Sequence, residues 1–427
     1  MRVAIANRYL RMVGGVESYL NCVIPELARA GHQVAFLYEN DGDERYAQVS
    51  VPQGAPVWRL TQAAHTDAIA ALKDWRPDVV FVHGTAGENE AKLIELAPAV
   101  FFAHAYSGTC VGGEKAFKFP FARPCARRFG WQCLAYYYPR RCGGLNPRTM
   151  MTEYVRQAAR LDMLRHYDAI VTASEHMRAE YIRHGFTRVY KVGLPLAERA
   201  HCAPPSRAVD YATDRDGEKC NRGFHLLFSG RMMPLKGGVM LLDALPRAAA
   251  ALDRPMRLTL AGDGPARKAW QAKAREIEAR HGSIEINFSG WMAHNELAAR
   301  YRDVDLIVMP SLWPEPFGLA GPEAGLFGIP AAAYAVGGIP EWLHDGVNGH
   351  LAPADPPTAA GLADVIAACL RDRSHYQLLR EGARIASLRM TISNHLGSLL
   401  EVFSEVRKKI KGSQPDGWQP NDFAKAR

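Results

Sequence analysis

Residues 310–341 read PSLWPEPFGLAGPEAGLFGIPAAAYAVGGIPE, and this stretch says more about the fold than any other part of the chain. It contains two acids, Glu315 and Glu323, with seven residues between them. A proline on each side of Glu315 keeps that acid out of the interior of a regular helix. Gly321-Pro322 predicts a helix start, because proline suits the first helical position, and Glu323 then falls in the first turn.

The segment between the two acids is suited to binding an anion. The turn of Phe317, Gly318 and Leu319, followed by the predicted helix N-terminus, offers backbone N–H groups and the positive end of a helix dipole. Carboxylates on both sides of an anion site suit a ligand with phosphates in the middle and hydroxyls at both ends. A nucleotide-sugar has this layout, although paired carboxylates also serve acid–base hydrolysis of glycosides.

The composition indicates a globular protein of more than one domain. The chain has 427 residues, whereas single hydrophobic cores stop growing at roughly 250–300 residues. Hydrophobic content of 48% and charged content of 22% are ordinary for soluble proteins. No apolar run reaches about 18 residues, so we expect no transmembrane helix. Met1-Arg2 runs directly into a predicted strand, so we expect no signal peptide and a cytoplasmic location.

The formal net charge of +8 leaves several partners open. It suits phosphate-bearing ligands or an anionic membrane surface, and it is equally consistent with solubility alone. No helix-turn-helix, zinc-finger or RNP pattern is present, which argues against a nucleic-acid partner.

Strands and helices alternate through the first part of the chain. Residues 2–6 predict a buried strand, Gly14-Gly15 a turn and residues 16–30 an amphipathic helix before a second strand at 33–38. A glycine pair at such a turn either approaches a phosphate or merely makes the turn tight. Further strands are predicted at 79–83, 100–104, 169–173 and 189–192. The alternation predicts a parallel, doubly wound sheet with His104 at a strand end, where ligands bind in such sheets.

A second series of strands and helices begins near residue 225. Its predicted strands are 225–229, 257–261, 284–288 and 304–309, and residues 355–407 are predicted to be helical. The predicted divisions of the chain are an N-terminal domain 1–200, a linker 201–223, a C-terminal domain 224–393, a helix 394–410 that crosses back to the N-terminal domain, and a flexible tail 411–427.

Residues 105–150 interrupt the alternation. They contain four cysteines, Cys110, Cys125, Cys133 and Cys142. No pair has Cys-x-x-Cys spacing, so a structural zinc, disulfides and free thiols all remain open. Eight basic residues stand against one acid, with aromatic residues between them. This pattern indicates either a surface for a lipid headgroup or an anionic acceptor, or a solvated loop held by its aromatics.

Taken in order, the motifs resemble the family 4 glycosyltransferases, which are retaining enzymes of the GT-B fold. The matching strings are Gly14-Gly15-Val16-Glu17, Gly230-Arg231 with Lys236-Gly237, Gly262-Asp263-Gly264-Pro265, Gly290-Trp291, Glu315 and Glu323 with Phe317-Gly318 between them, Gly337-Gly338-Ile339-Pro340-Glu341, and the hairpin-like turn Gly346-Val347-Asn348-Gly349. The family's Pro-Asn-Gly hinge string is absent, and Val192-Gly193-Leu194-Pro195 stands there. The resemblance implies an α/β protein of two Rossmann-like, doubly wound domains facing a central cleft.

The resemblance also implies a role for each matching residue. Arg231 and Lys236 would neutralise the donor diphosphate as the sugar–phosphate bond breaks. Glu315 would bind sugar hydroxyls and Glu323 ribose hydroxyls, and His104 would touch the sugar from the first domain. The remaining donor-binding residues implied by the resemblance are Gly15 near the diphosphate, Gly264, Trp291 near the base, and the N–H groups of Phe317, Gly318 and Leu319.

The implied reaction moves a hexose from a nucleotide-sugar donor with retention of configuration. The acceptor attacks from the face that the diphosphate leaves, so no protein nucleophile is required. No Asp-x-Asp string lies at a plausible strand end, so we assign no metal ligand and no cofactor. A UDP-sugar is the first expectation and GDP-mannose the second, with a saccharide or lipid-linked saccharide of the cell surface as acceptor and a peripheral position on the inner face of the membrane.

Three other functions are compatible with parts of this pattern. The GT-B fold also serves nucleotide-sugar epimerases and inverting transferases. A catalytically silent nucleotide-sugar binder or assembly partner is a third reading, although the intact set of Gly15, Arg231, Lys236, Glu315 and Glu323 argues against it.

Overall fold

The computed structural model describes residues 1–60, 65–85, 87–196, 223–292 and 294–412. The predicted linker at 201–223 therefore lies outside the described residues except for Gly223, as does most of the predicted tail. Among the described residues, no helix is long and apolar enough to cross a membrane.

The strands form two larger sheets and one small ribbon. In chain order they are β1 (Arg2–Tyr9), β2 (Gln33–Asn40), β3 (Val57–Arg59), β4 (Val79–Val82), β5 (Ala99–Ala103), β6 (Ala116–Phe117), β7 (Arg123–Pro124), β8 (Ala169–Thr172), β9 (Val189–Lys191), β10 (Phe224–Ser229), β11 (Met256–Ala261), β12 (Ile284–Gly290), β13 (Leu306–Met309), β14 (Ala331–Tyr334) and β15 (Gly349–Ala352).

The first sheet has seven strands in the order β3-β2-β1-β4-β5-β8-β9. The first four pairings in this order are parallel. Every residue of β4 and β5 is buried, which is typical of the centre of a parallel sheet covered on both faces.

The second sheet has six strands in the order β12-β11-β10-β13-β14-β15. All five pairings are parallel. The chain therefore builds outward from β10 in one direction and then returns to continue from β13 in the other. Ligands bind at the carboxyl ends of the strands beside such a reversal, so the loops after β10 and β13 are the first place to look for a site.

Helices connect the strands in nearly every interval. They are α1 (Gly15–Arg29), α2 (His65–Trp75), α3 (Gly87–Ile94), α4 (Gln132–Tyr137), α5 (Pro147–Met163), α6 (Glu175–Arg183), α7 (Gly238–Leu252), α8 (Arg267–Arg280), α9 (His294–Arg300), α10 (Ala320–Gly325), α11 (Ala359–Leu370), α12 (Arg373–Leu388) and α13 (Ile392–Gly412). With the two parallel sheets, they give two Rossmann-like domains, so the predicted fold class is confirmed.

The chain divides into two compact units. The first comprises Met1–Phe102, Met163–Val171 and Leu396–Arg427, and the second comprises Ala103–Asp162 and Thr172–His395. Within the first unit, the Phe403 ring of α13 packs edge-on against Phe81 at 5.1 Å, and Arg407 donates to Asp78 at 2.8 Å. The domain boundaries predicted from the sequence remain a prediction, because the main one falls beside the undescribed residues 197–222.

Most predicted elements are present, and the differences are local. Residues 355–407, predicted to be helical, form α11, α12 and most of α13, whereas β14 was not foreseen. A turn is present at 346–348, as predicted, although the strand that follows it, β15, runs parallel to β14. The insertion does break the alternation, because β6 and β7 form an isolated antiparallel ribbon.

Candidate functional site

A partly buried ion pair lies at the carboxyl edge of the second sheet. Lys236 ends a 3-10 turn that follows β10, and Glu315 lies in the loop that follows β13. Lys236 Nζ is 2.6 Å from Glu315 Oε1. Glu315 is only 4% exposed, and the Ser311 hydroxyl donates to the same oxygen. The two motifs that the sequence placed far apart thus meet where the strand order reverses.

Glycine lets these two loops approach each other. Gly237 has φ +73°, and a Cβ built on it would lie 1.7 Å from the Pro310 carbonyl oxygen. Leu312 N–H donates to the Leu235 carbonyl at 2.8 Å. Any side chain at 237 would separate the loops, so the glycine that follows Lys236 positions that lysine against Glu315.

The Gly-Gly string supports the backbone of Glu315. Gly337 has φ +58°, and a Cβ there would lie 2.3 Å from the Glu315 carbonyl oxygen. Gly338 N–H donates to that same oxygen at 2.7 Å. Trp342 Nε1–H donates to the Phe317 carbonyl at 2.8 Å. These contacts give the downstream motif a structural task, which is to hold the loop that carries Glu315.

The predicted anion-binding turn has backbone donors available. Among the described residues, the N–H groups of Phe317, Gly318 and Leu319 have no acceptor. Helix α10 follows and places half-buried Glu323 in its first turn, as predicted. This helix has only six residues, so the free N–H groups of the turn are a stronger feature than its dipole.

The other predicted residues lie along the same edge of the second sheet. Arg231 follows β10 and is exposed, and no described acid pairs with it. Gly264 follows β11, and a Cβ on it would lie 2.4 Å from the Met232 carbonyl oxygen, so the two loops are packed backbone to backbone. Trp291 follows β12 with 62% of its surface exposed. Strand ends from β10 to β13 therefore bring most of the predicted set to one edge.

Two predicted residues are placed differently. His104 follows β5 and is half-buried, and burial lowers its pKa to about 3, so its imidazole is neutral near pH 7. It belongs to the second compact unit, whereas Gly15 begins α1 in the first unit. The proposed approach of Gly15 to the donor stays a prediction.

Two aromatic residues beside the ion pair were missed by the sequence reasoning. Fully buried Tyr106 donates its hydroxyl proton to the Pro314 carbonyl at 2.8 Å, next to Glu315. Its ring lies edge-on to Trp313, and Lys236 Nζ is 5.5 Å from the centroid of the Trp313 ring. Trp313 was visible inside the quoted stretch, but Tyr106 lies in the insertion and carries no motif.

Glu341, the last residue of the Gly-Gly string, binds the N-terminus of α6. Its carboxylate accepts from the backbone N–H groups of Glu175 and His176 at the start of α6, and it lies 3.1 Å from Lys191 Nζ. Ser174 caps the same helix by accepting from Met177 N–H at 3.3 Å.

Comparisons with known proteins cover most of the chain. Residues 13–192 match the family model described as "Glycosyltransferase Family 4", and residues 213–386 match "Glycosyl transferases group 1". A D-inositol 3-phosphate glycosyltransferase from Xylanimonas cellulosilytica is 30% identical over 260 residues, or 57% of this chain and 60% of that relative. The chain thus spans about three fifths of the length of that curated relative.

Solved structures show the same fold. HepE from Anabaena, in complex with UDP and glucose, is 18% identical with a TM-score of 0.61, and the alignment covers 97% of this chain and 100% of that one. A sucrose-phosphate synthase from Thermosynechococcus elongatus is 19% identical with a TM-score of 0.62, covering 96% of this chain and 100% of that one. At this level of identity, the comparison supports the fold alone.

Proposed function

Because the chain belongs to glycosyltransferase family 4, we propose that it is a retaining hexosyltransferase that uses a nucleotide-diphosphate sugar. The observation that carries the proposal is the Lys236–Glu315 pair at the strand-order reversal of the second sheet. The bond that breaks joins a diphosphate to a hydroxyl-bearing sugar. The ammonium of Lys236 suits the diphosphate, and the carboxylate of Glu315 suits the sugar hydroxyls.

The cations would stabilise the leaving group. Lys236 keeps about a quarter of its side chain exposed. Arg231 precedes it in the same segment after β10 and is also exposed. When a donor binds, both can point at the diphosphate, where a planar guanidinium offers paired donors and an ammonium offers a compact charge. The charge that grows on the departing phosphate is then met by groups already in place.

The acids and backbone donors would position the two ends of the donor. Glu315 is buried, and its oxygens can accept from sugar hydroxyls, whereas half-buried Glu323 is suited to ribose hydroxyls. The free N–H groups of residues 317–319 can bind the phosphate and sugar oxygens between them. Neutral His104 can exchange a hydrogen bond with a sugar hydroxyl without adding charge.

The transfer itself requires little covalent chemistry from the protein. The bond between the anomeric carbon and the phosphate oxygen breaks, and the acceptor oxygen forms its bond on the same face. The acceptor's proton passes to the departing phosphate oxygen, so the products are a glycoside and a nucleoside diphosphate. We propose that no metal ion is required, since Arg231 and Lys236 supply the positive charge.

The donor is proposed to be a UDP-hexose, with GDP-mannose as the second choice. The Anabaena neighbour was solved with UDP and glucose, which supports the first choice by analogy of fold. The acceptor is proposed to be a saccharide or lipid-linked saccharide in cell-surface polysaccharide or glycoconjugate synthesis.

The insertion supports a peripheral position on an anionic membrane. Phe119, Phe121 and Trp131 are exposed, and arginines lie over neighbouring rings, with Arg141 at 5.0 Å from the Phe119 centroid and Arg123 at 5.5 Å from that of Phe121. Exposed rings flanked by arginine suit the boundary between lipid headgroups and acyl chains.

Flotation with anionic and neutral vesicles tests the membrane proposal. We expect the wild type to partition with anionic vesicles at low salt, and an Arg127/Arg128/Arg140/Arg141→Glu variant to remain in solution. Equal partitioning of both proteins would refute docking through this surface and would leave the transfer proposal intact.

A donor panel tests the transfer. UDP-hexoses and GDP-mannose are incubated with the protein, alone and with saccharide acceptors, while released nucleoside diphosphate and the anomeric configuration of the product are measured. We expect release that depends on acceptor, retained configuration, and no gain on adding Mg²⁺. Inversion would favour an inverting transferase, an epimerised sugar without transfer would favour an epimerase, and binding without turnover would favour an assembly partner.

A further inference from the structure

The four cysteines of the insertion converge on one small cavity in the second compact unit. Cys110, Cys125, Cys133 and Cys142, here called the four-cysteine cluster, all line it. They are spread over more than thirty residues of sequence, and their spacing alone gave no sign of this convergence.

Backbone contacts hold the segments of the cluster together. Cys125 N–H donates to the Lys115 carbonyl at 2.8 Å, and Lys118 N–H donates to the Arg140 carbonyl at 2.9 Å. A Cβ on Gly112 would lie 2.1 Å from the Cys142 carbonyl oxygen. The main chain, and not only the side chains, therefore brings the start, middle and end of the insertion side by side.

The surroundings of the sulfurs suit a cluster of negative charge. All four cysteines are free thiols. Lys115 N–H donates to Cys110 Sγ at 3.3 Å, and Lys115 and Arg127 line the cavity with the cysteines.

We propose that the four-cysteine cluster binds one structural Zn²⁺ ion. Four thiolates are a common ligand set of structural zinc, with Zn–S distances of about 2.3 Å in a tetrahedron. Binding exchanges four thiol protons for one divalent cation, so each sulfur loses its proton to water as its bond to zinc forms. The complex carries a net charge of −2, and the Arg127 side chain and the Lys115 backbone N–H lie beside it.

The four sulfurs are not arranged as a tetrahedral set of metal ligands in this structure. Across the described residues, no group of three or more His, Cys, Asp or Glu side chains is arranged to hold a metal ion as it stands. The four thiols line the cavity, so binding requires their side chains to turn inward by rotation about χ1.

The insertion has little regular secondary structure. Strands β6 and β7 have two residues each, and α4 has six. Small segments of this kind commonly rely on a metal or on crosslinks because they bury too little apolar surface. Four residues before the cluster begins lies Tyr106, whose hydroxyl binds the loop of Glu315, so the ion would also stiffen a support of the transfer site.

Metal analysis of the purified chain tests the proposal without any substitution. The protein is prepared under reducing conditions without metal-affinity chromatography, and bound zinc is measured by plasma mass spectrometry. We expect about one zinc ion per chain. Chelated, reduced protein titrated with Co²⁺ should develop the visible absorption of tetrahedral cobalt thiolate and saturate at one equivalent.

Cysteine variants locate the ion. A Cys125→Ser/Cys142→Ser variant should lose zinc, and a Cys142→His variant should keep it because histidine also ligates zinc. A Cys22→Ser/Cys369→Ser variant is the matched control, since these cysteines lie outside the cluster, and it should retain full occupancy.

Three results would overturn the proposal. One is a wild-type chain that takes up neither Zn²⁺ nor Co²⁺ when reduced. Another is full zinc occupancy in the Cys125→Ser/Cys142→Ser variant. The third is an intact mass before reduction that shows the four cysteines joined as disulfides, which would assign the cluster to oxidative crosslinking instead.

Discussion

Two of the lysine–glutamate pairs in the second compact unit differ in how much of each lysine is exposed. In the Lys115–Glu180 pair the side chains are 3% and 2% exposed, whereas in the Lys236–Glu315 pair they are 25% and 6% exposed. The acids are similarly buried, so the difference lies almost wholly with the lysines.

The partners of each lysine explain the difference. Lys115 Nζ also donates to the carbonyls of Thr109 and Arg127, so its three donors are all used. Lys236 has Glu315 and the face of Trp313. A lysine whose donors are all used inside the protein holds structure together, while one with spare donors at a strand-order reversal is available to a ligand.

Removing Lys115 should have the largest effect, and that effect should be on stability. Lys115→Ala leaves buried Glu180 with the partly exposed Arg183 as its remaining cation. Breaking one side of a buried pair costs about 3–5 kcal/mol, and we expect a loss at the lower end of that range. Denaturant unfolding measures the loss. Lys118→Ala is the matched control, because its pair with Glu114 is partly exposed and should contribute under about 1 kcal/mol. A Lys115→Ala protein as stable as the control would remove the contrast between the two pairs.

Removing either member of the Lys236–Glu315 pair should affect activity more than stability. Lys236→Ala and Glu315→Ala are each expected to lower kcat/KM by at least about 10²-fold, the scale of one lost transition-state charge contact. Initial rates across donor concentrations measure this. Lys273→Ala, which breaks a surface pair with Asp243, should keep full activity. Near-wild-type turnover in Lys236→Ala or Glu315→Ala would contradict the assigned roles.

A tyrosine between the two pairs should have an intermediate effect. Glu180 and Glu315 both raise the pKa of Tyr106, after the larger effect of burial. Tyr106→Phe removes the hydrogen bond to Pro314, worth about 1 kcal/mol, so kcat/KM should fall several-fold. Tyr334→Phe, which loses a similar bond to Thr358, should lower the melting temperature comparably and leave kcat/KM unchanged. Equal activity in the two variants would show that Tyr106 only supports folding.

A buried neutral group should give the smallest effect at neutral pH, because its effect on stability develops only in acid. Burial lowers the pKa of His395 from 6.5 to about 4, and Nδ1 lies 2.7 Å from the Gly193 carbonyl oxygen. Between these pH values this histidine is protonated in the unfolded chain and neutral in the native chain. The free energy of unfolding therefore falls as the pH falls from 6.5 towards 4. His395→Gln should lose less stability over that window than wild type in thermal melts. Parallel curves would mean that His395 does not contribute.

The sequence predicts the strands of the second sheet and the residues at its carboxyl edge well, because short sequence motifs follow those strands. Arg231, Lys236, Glu315 and Glu323 were placed by motifs in which glycine and proline restrict the backbone. The close approach of Gly237 to Pro310 was not foreseen, since it depends on how two distant strands pair.

The insertion shows what such reasoning misses. Its cysteines have no recognisable spacing, yet they line one cavity. Lys115 looked like one more surface cation, but it is buried against Glu180. Both features depend on backbone contacts within an irregular segment, and no period of 2 or 3.6 residues reports such contacts.

The close packing at Gly237, Gly337 and Gly338 bears on how the enzyme could be redesigned. These positions have no room for even one extra carbon, so random libraries that include them will consist largely of misfolded members. Trp291 lies on the same edge with 62% of its surface exposed. An effort to change the donor nucleotide should therefore diversify this position and keep the glycines, and the diphosphate-binding Arg231, constant.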